Sequence, residues 1–155
     1  MINTNVNISK SVIPPSTCTI FIQIWVDVNM LATNNPEKGC YVVDNRNNYS
    51  QYEGSCQLQT YVASGSKVCW SILPIDPQYK GMFSITLINV EFAYNSPPLP
   101  YDDNFDVWTG IVAVTVSFQK IMSNLTFSYN NGSTSRTVVL PICVTPIVNT
   151  MNKQK

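Results

Sequence analysis

From Phe105 to Tyr129 apolar and polar residues alternate. Val112, Val114, Val116 and Phe118 take turns with Ala113, Thr115 and Ser117, and Leu125, Phe127 and Tyr129 take turns with Asn124, Thr126 and Ser128. A repeat of two sends one set of side chains to each face of a pleated strand, and an α-helix cannot sort such a pattern onto one side. The pattern predicts two long, neighbouring, antiparallel strands joined near Gln119 and Lys120.

Much of the chain follows the same rule. Ile20, Ile22, Ile24 and Val26 define one face of a first strand, with Phe21 and Trp25 on the other. Apolar groups on both faces predict a central strand or one covered at an interface. Cys40 to Asp44 is a short strand. Ser55 to Ala63 and Lys67 to Leu73 read as a hairpin around Ser64-Gly65-Ser66. Met82 to Tyr94 is a further strand, and Thr137 to Val148 closes the fold, bent at Pro141 and Pro146. Ser96-Pro97-Pro98-Leu99-Pro100-Tyr101-Asp102-Asp103-Asn104 is expected to be irregular, its three prolines keeping it out of any sheet interior. The sum is about eight strands with no amphipathic helix, which predicts an all-β, single-domain, antiparallel β-sandwich of jelly-roll-like form. Residues 1–17 are expected to be a polar lead-in, 18–149 the β-sandwich domain and 150–155 a tail.

Composition narrows the function. Histidine is absent from the 155 residues, which removes Ser–His–Asp, Cys–His and most zinc-hydrolase chemistry. No phosphate-binding glycine motif is present. The expectation is a non-catalytic protein. Nine basic and nine acidic residues give a formal charge of zero, with 12% of the chain charged. Nucleic acid and anionic membranes need clustered Lys and Arg, so neither is an expected partner. A charge-poor surface has little self-repulsion, which favours a homo-oligomer or a dense assembly. Met1 to Ser11 lacks a basic region followed by an apolar core, so the expected location is the cytoplasm. The five cysteines, Cys18, Cys40, Cys56, Cys69 and Cys143, have no metal-ligand spacing and read as buried free thiols, with one disulfide left open.

Two features could hold a ligand. Asp102-Asp103-Asn104-Phe105-Asp106 places three carboxylates and an amide within one turn. Hard cations such as calcium take oxygen ligands, so Asp102, Asp103 and Asp106 are metal candidates, against the alternative of a solvated acidic turn. Asp27, Asn29, Asp44, Asn45 and Asp76 are further oxygen donors. The second feature is aromatic rings among amides near loops, where a ring can stack on a sugar while polar groups take its hydroxyls. Tyr101, Asp102, Asp103, Asn104 and Trp108 are the candidate ligand-binding residues. The alternative is that such rings cap the core.

The order of these features resembles the bacterial inclusion-body protein family of the PixA/AidA type. The features that carry it are the opening strand Ile22 to Asp27, the Thr33-Asn34-Asn35-Pro36 loop, Tyr41-Val42-Val43, the Gly65 turn before Trp70, Leu125-Thr126-Phe127-Ser128-Tyr129 and Leu140-Pro141-Ile142-Cys143-Val144. The chain departs from the family pattern at Ser66 and at Val144-Thr145-Pro146. The resemblance implies a β-sandwich that accumulates in the bacterial cytoplasm, often as inclusions. It also implies lectin-like carbohydrate binding assisted by calcium, and no catalysis. A self-assembling structural protein without a small ligand is the alternative.

Overall fold

Ile20, Ile22, Ile24 and Val26 turn to one side of the first strand and are almost wholly buried, so the alternation read from the sequence sets the inner face of a sheet. The computed structural model describes residues 9–31, 36–46, 50–63, 65–90, 94–101, 103–112, 121–131 and 134–146. Among these the strands are β1 (Ile20–Val26), β2 (Cys40–Asp44), β3 (Ser50–Gln51), β4 (Gln59–Val62), β5 (Lys67–Pro74), β6 (Phe83–Val90), β7 (Tyr94–Tyr101), β8 (Asn104–Val112), β9 (Ile121–Asn131) and β10 (Thr134–Pro146). A single helical turn, α1 (Val28–Leu31), follows β1. Asp27 starts that turn, its carboxylate accepting the backbone N–H of Asn29 at 3.1 Å.

The strands form two five-stranded sheets. One runs β2-β1-β5-β8-β7 and the other β3-β4-β10-β9-β6. Their inner faces share one core: Ile22, Ile24, Trp70 and Trp108 from the first sheet belong to the same buried cluster as Ile85, Leu125, Phe127 and Leu140 from the second. The all-β expectation holds. The all-antiparallel expectation does not, because β1 pairs with β5 and β4 with β10 in parallel. Both sheets are therefore mixed, and this order does not show a jelly roll.

One predicted pairing is corrected and one lies outside the described residues. Of the strands predicted on either side of Gln119 and Lys120, the first is described only to Val112, where β8 ends; β8 and β9 belong to different sheets. Val114, Val116 and Phe118 lie outside the described residues. The Gly65 turn does not close a hairpin, since β4 and β5 also belong to different sheets. Gly65 has φ +86°, a left-handed value that glycine adopts without steric cost. Its N–H bonds Val112 O at 2.7 Å, and Val112 N–H bonds Ser66 O at 2.9 Å. Periodicity predicts the face of a strand. The partner is decided by which apolar faces must meet.

The prolines behave as sheet chemistry requires. Ser96 to Tyr101 is a strand after all, but β7 is the outer strand of its sheet and its register with β8 slips repeatedly. Edge strands tolerate residues that cannot donate. Pro141 does not break β10, because β4 pairs with β10 only from Cys143 onward, and up to there β10 has β9 alone. β6 carries a bulge between Ile85 and Leu87. The extra residue moves the buried set from Phe83 and Ile85 to Ile88.

The alternation of β10 gives a direct check. Val138 and Leu140 face inward beside Phe127 and Leu125, whereas Val139 is 55% exposed. Phe127→Ala should cost about 3–5 kcal/mol in urea unfolding. Val139→Thr should change stability by less than about 0.5 kcal/mol. Equal losses would mean that β9 and β10 present other faces to the core.

Candidate functional site

The acidic run falls at the tight connection between β7 and β8. Tyr101 ends β7 and pairs with Asn104, which opens β8. Asp102 and the side chain of Asn104 lie outside what the structure describes. Tyr101 is half-buried. Asp103 is exposed and ion-paired with Lys10, and Phe105 and Asp106 are exposed at the start of β8. Trp108 requires a correction as a ligand platform. It is 5% exposed and packs in the core shared by the two sheets. Its indole N–H donates to Phe105 O at 3.0 Å. Two-residue periodicity turns Trp108 inward with Val112, so its ring has no face to offer a ligand.

Among the described residues, no three His, Cys, Asp or Glu side chains converge. The other oxygen donors are occupied by local backbone. Asp27 caps α1, and Asp76 accepts the N–H of Gln78 at 2.9 Å. Asp44 accepts from Ser50 Oγ and from the N–H of Arg46 at 2.9 Å, and the amide of Asn45 bridges Phe21 N–H and Thr19 O along β1. These are the bonds that Asp and Asn make to hold turns.

Asp103, Phe105 and Asp106 do line a cleft of about 310 Å³ at one end of the two sheets, together with the end of β5 (Ile72 to Pro74) and the start of β6. Ile72 and Phe83 are buried, and Met82 stands exposed at the edge. A Cβ at Gly81 would meet the ring of Tyr79, so a larger residue there requires that ring to shift. The Tyr79 hydroxyl donates to Asn130 O and its ring packs 5.3 Å from that of Phe83. Burial holds the Tyr79 phenol above its ordinary pKa, so it stays a neutral donor. The cleft offers apolar walls with carboxylate acceptors beside them. Phe105 was not among the candidates read from the sequence, although it stands inside the acidic run that drew attention to this turn.

A second surface is more prominent. On the outer face of the first sheet, Trp25 pairs in register with Tyr41 on one side and Leu73 on the other. Phe21, Trp25 and Tyr41 are 37%, 36% and 41% exposed. The other half of that face is covered by the N-terminal strap, residues 11–18. Ile13 and Cys18 of the strap pack on Cys69, beside Val107 and Ile111. Ser11 N–H bonds Pro100 O at 2.8 Å, and the buried hydroxyl of Thr109 donates to Ile13 O at 2.9 Å. From Ser11 onward, the expected polar lead-in is part of the packed fold.

A family model described as a domain of unknown function (DUF8788) matches residues 18–136. The chain belongs to that family. Its structure is similar to the crystal structure of the inclusion body protein PixA from Burkholderia cenocepacia J2315. The TM-score is 0.60 and the identity 12%, over 82% of this chain and 94% of that one. At that identity the likeness is one of fold, and it agrees with the resemblance carried by the order of the sequence features. Among curated proteins no sequence matches. Among the described residues, no helix is long and apolar enough to cross a membrane.

The edge of β2 supplies an electrostatic check. Asp44 N–H donates to Glu53 Oε1 at 2.8 Å. Burial raises the Glu53 pKa; the Asp44 N–H bond opposes the rise and the Asp44 charge adds to it. A carboxyl whose folded pKa is raised favours the fold while protonated and loses that contribution as pH rises through the folded value. Glu53→Gln keeps an acceptor for Asp44 N–H and removes the charge. Its Tm should exceed that of the wild type at about pH 7 and match it at about pH 3.5, where both carboxyl states are neutral. An equal or lower Tm at neutral pH would contradict this balance.

Proposed function

We propose that this chain is a non-catalytic protein of the inclusion-body type, which accumulates in the cytoplasm by association of copies of itself. The observation that carries the reading is the open aromatic half of the outer face of the first sheet, where Trp25 and Tyr41 stand paired and exposed. Large aromatic rings on a surface this poor in charge favour burial against a partner of the same kind.

Sheet edges are the alternative route to assembly; the outer strands are blunted, whereas β10 before Cys143 pairs with β9 alone among the described residues and carries Pro141. β7 carries three prolines, β3 is two residues long and β6 is bulged. Along β2, Gly54 N–H bonds Val42 O at 2.8 Å and Glu53 takes the N–H of Asp44. These are the usual protections against edge-to-edge pairing, and they direct association to a face. The lack of histidine in the sequence supports a non-catalytic role.

Light scattering of the purified chain should show mass rising with concentration. The double variant Trp25→Lys, Tyr41→Lys should remain monomeric with an unchanged far-ultraviolet spectrum. A wild type that stays monomeric at high concentration, or a folded double variant that still assembles, would overturn the proposal.

A second reading rests on the cleft at the β7–β8 turn. There Phe105 stands beside the carboxylates of Asp103 and Asp106, a combination suited to a carbohydrate, with a ring for its apolar face and acceptors for its hydroxyls. A glycan array should then show saturable binding that survives chelator and is lost in Phe105→Ala. Binding abolished by chelator would instead bring calcium back to the acidic turn, and no binding would end this reading.

A further inference from the structure

We propose that Cys18 and Cys69 are a redox pair, joined by a low-molecular-weight disulfide oxidant into a cross-link that staples the N-terminal strap to β5.

The argument starts from an anomaly in β5. Val68, Trp70 and Ile72 point into the shared core, so strand periodicity sends Cys69 to the outer face with Ser71. An outer-face residue should meet water, yet Cys69 is 5% exposed. What covers it is the strap. Ile13, Cys18 and Cys69 form their own small buried cluster, apart from the main core. Cys18 and Cys69 both lie in that cluster, where the Cys18 thiol also donates to Pro14 O at 3.9 Å. The strap reaches this position by the 3-10 turn Pro15–Thr17, and Thr19 N–H then bonds Lys67 O at 3.1 Å where β1 joins β5. Two chain segments distant in sequence thus bring two thiols into one buried cluster.

The other two described thiols, Cys40 and Cys56, lie in the main core rather than under the strap. Cys56 Sγ lies 3.6 Å from Cys40 O and 3.7 Å from Glu37 O, so that thiol is directed at backbone carbonyls. All four described cysteines are free thiols, the state of a reduced chain.

The chemistry balances with a dialkyl disulfide such as oxidised glutathione. One cysteine thiolate attacks the oxidant, forming a mixed disulfide and expelling one glutathione thiolate. The second cysteine attacks the protein sulfur of that mixed disulfide and expels the other. The two cysteine protons pass to the two departing thiolates, the protein loses two electrons, and the oxidant is reduced to two thiols. Burial lifts the Cys18 thiol and pushes Cys69 up to about 11, so closure is slow at neutral pH and speeds up as thiolate forms. The product closes a loop from residue 18 to residue 69 and holds the strap over half of the outer face. It leaves Phe21, Trp25 and Tyr41 uncovered, and it does not depend on whether copies associate there.

The test treats the full-length, folded protein with oxidised glutathione, blocks residual thiols with a maleimide and maps the peptides by mass. The expected product is a Cys18–Cys69 linked peptide, formed faster as pH is raised, with a Tm above that of the reduced chain. Cys18→Ser should end as a glutathione adduct on Cys69 with no such gain. Complete labelling of every cysteine by maleimide after oxidation, or a predominant link between Cys40 and Cys56 or through Cys143, would overturn the assignment. Because the map is made on the wild type, the outcome stands even if a cysteine variant folds poorly.

Discussion

The inward side chains of β1, β5 and β8 must meet those of β6, β9 and β10, and the rest of the architecture depends on that contact. Trp70 and Trp108 sit opposite each other in register on one sheet, while Phe83, Phe127 and Tyr129 pack ring against ring on the other, with centroids 6.1 to 6.3 Å apart. Aromatic side chains bury more area than any others, and offset or tilted pairs add to it. With the largest groups concentrated between the sheets, successive strands gain more by crossing from one layer to the other than by folding back as hairpins. That is why β4 passes to β5 by changing sheet.

The same arrangement explains the surfaces. A five-stranded sheet has two faces and two edges, and the core covers only one face. In the first sheet the strap takes half of the remaining face, anchored by the Thr109 hydroxyl and by the Lys10–Asp103 ion pair. An exposed ion pair contributes about 0–1 kcal/mol, so the buried Ile13, Cys18 and Cys69 contact is the stronger anchor. The other half of the face keeps its aromatics in water. Proline, bulge, brevity and the Glu53–Gly54 loop protect the outer strands, and the Phe21, Trp25 and Tyr41 face remains an exposed aromatic surface.

The fold likeness to PixA is one of sheet architecture, and the DUF8788 match over residues 18–136 spans strands of both sheets as well as the acidic turn. At 12% identity the sheets can be shared while the turns differ, because core positions demand only apolar side chains of suitable volume.

The face of each strand was legible from the chain alone. Ile20 to Val26 and Leu125 to Tyr129 alternate in sequence and alternate in burial, because the pleat has a fixed period that needs no knowledge of the partner. The same rule would have turned Trp108 inward had it been applied from Val112 backward. Pro97, Pro98 and Pro100 marked a place outside any sheet interior, which is where β7 lies, though not that it would pair at all. The partners were not legible. Nothing in Ser64-Gly65-Ser66 distinguishes a hairpin from a crossing between layers, since both need a tight turn with a left-handed glycine. Nor does the spacing of Cys18 and Cys69 announce their contact. Periodicity is a local property, written in neighbouring residues. Which strands pair, which thiols meet and which aromatics stay exposed follow from how two sheets close on each other, and that balance of buried area is set only by the whole chain.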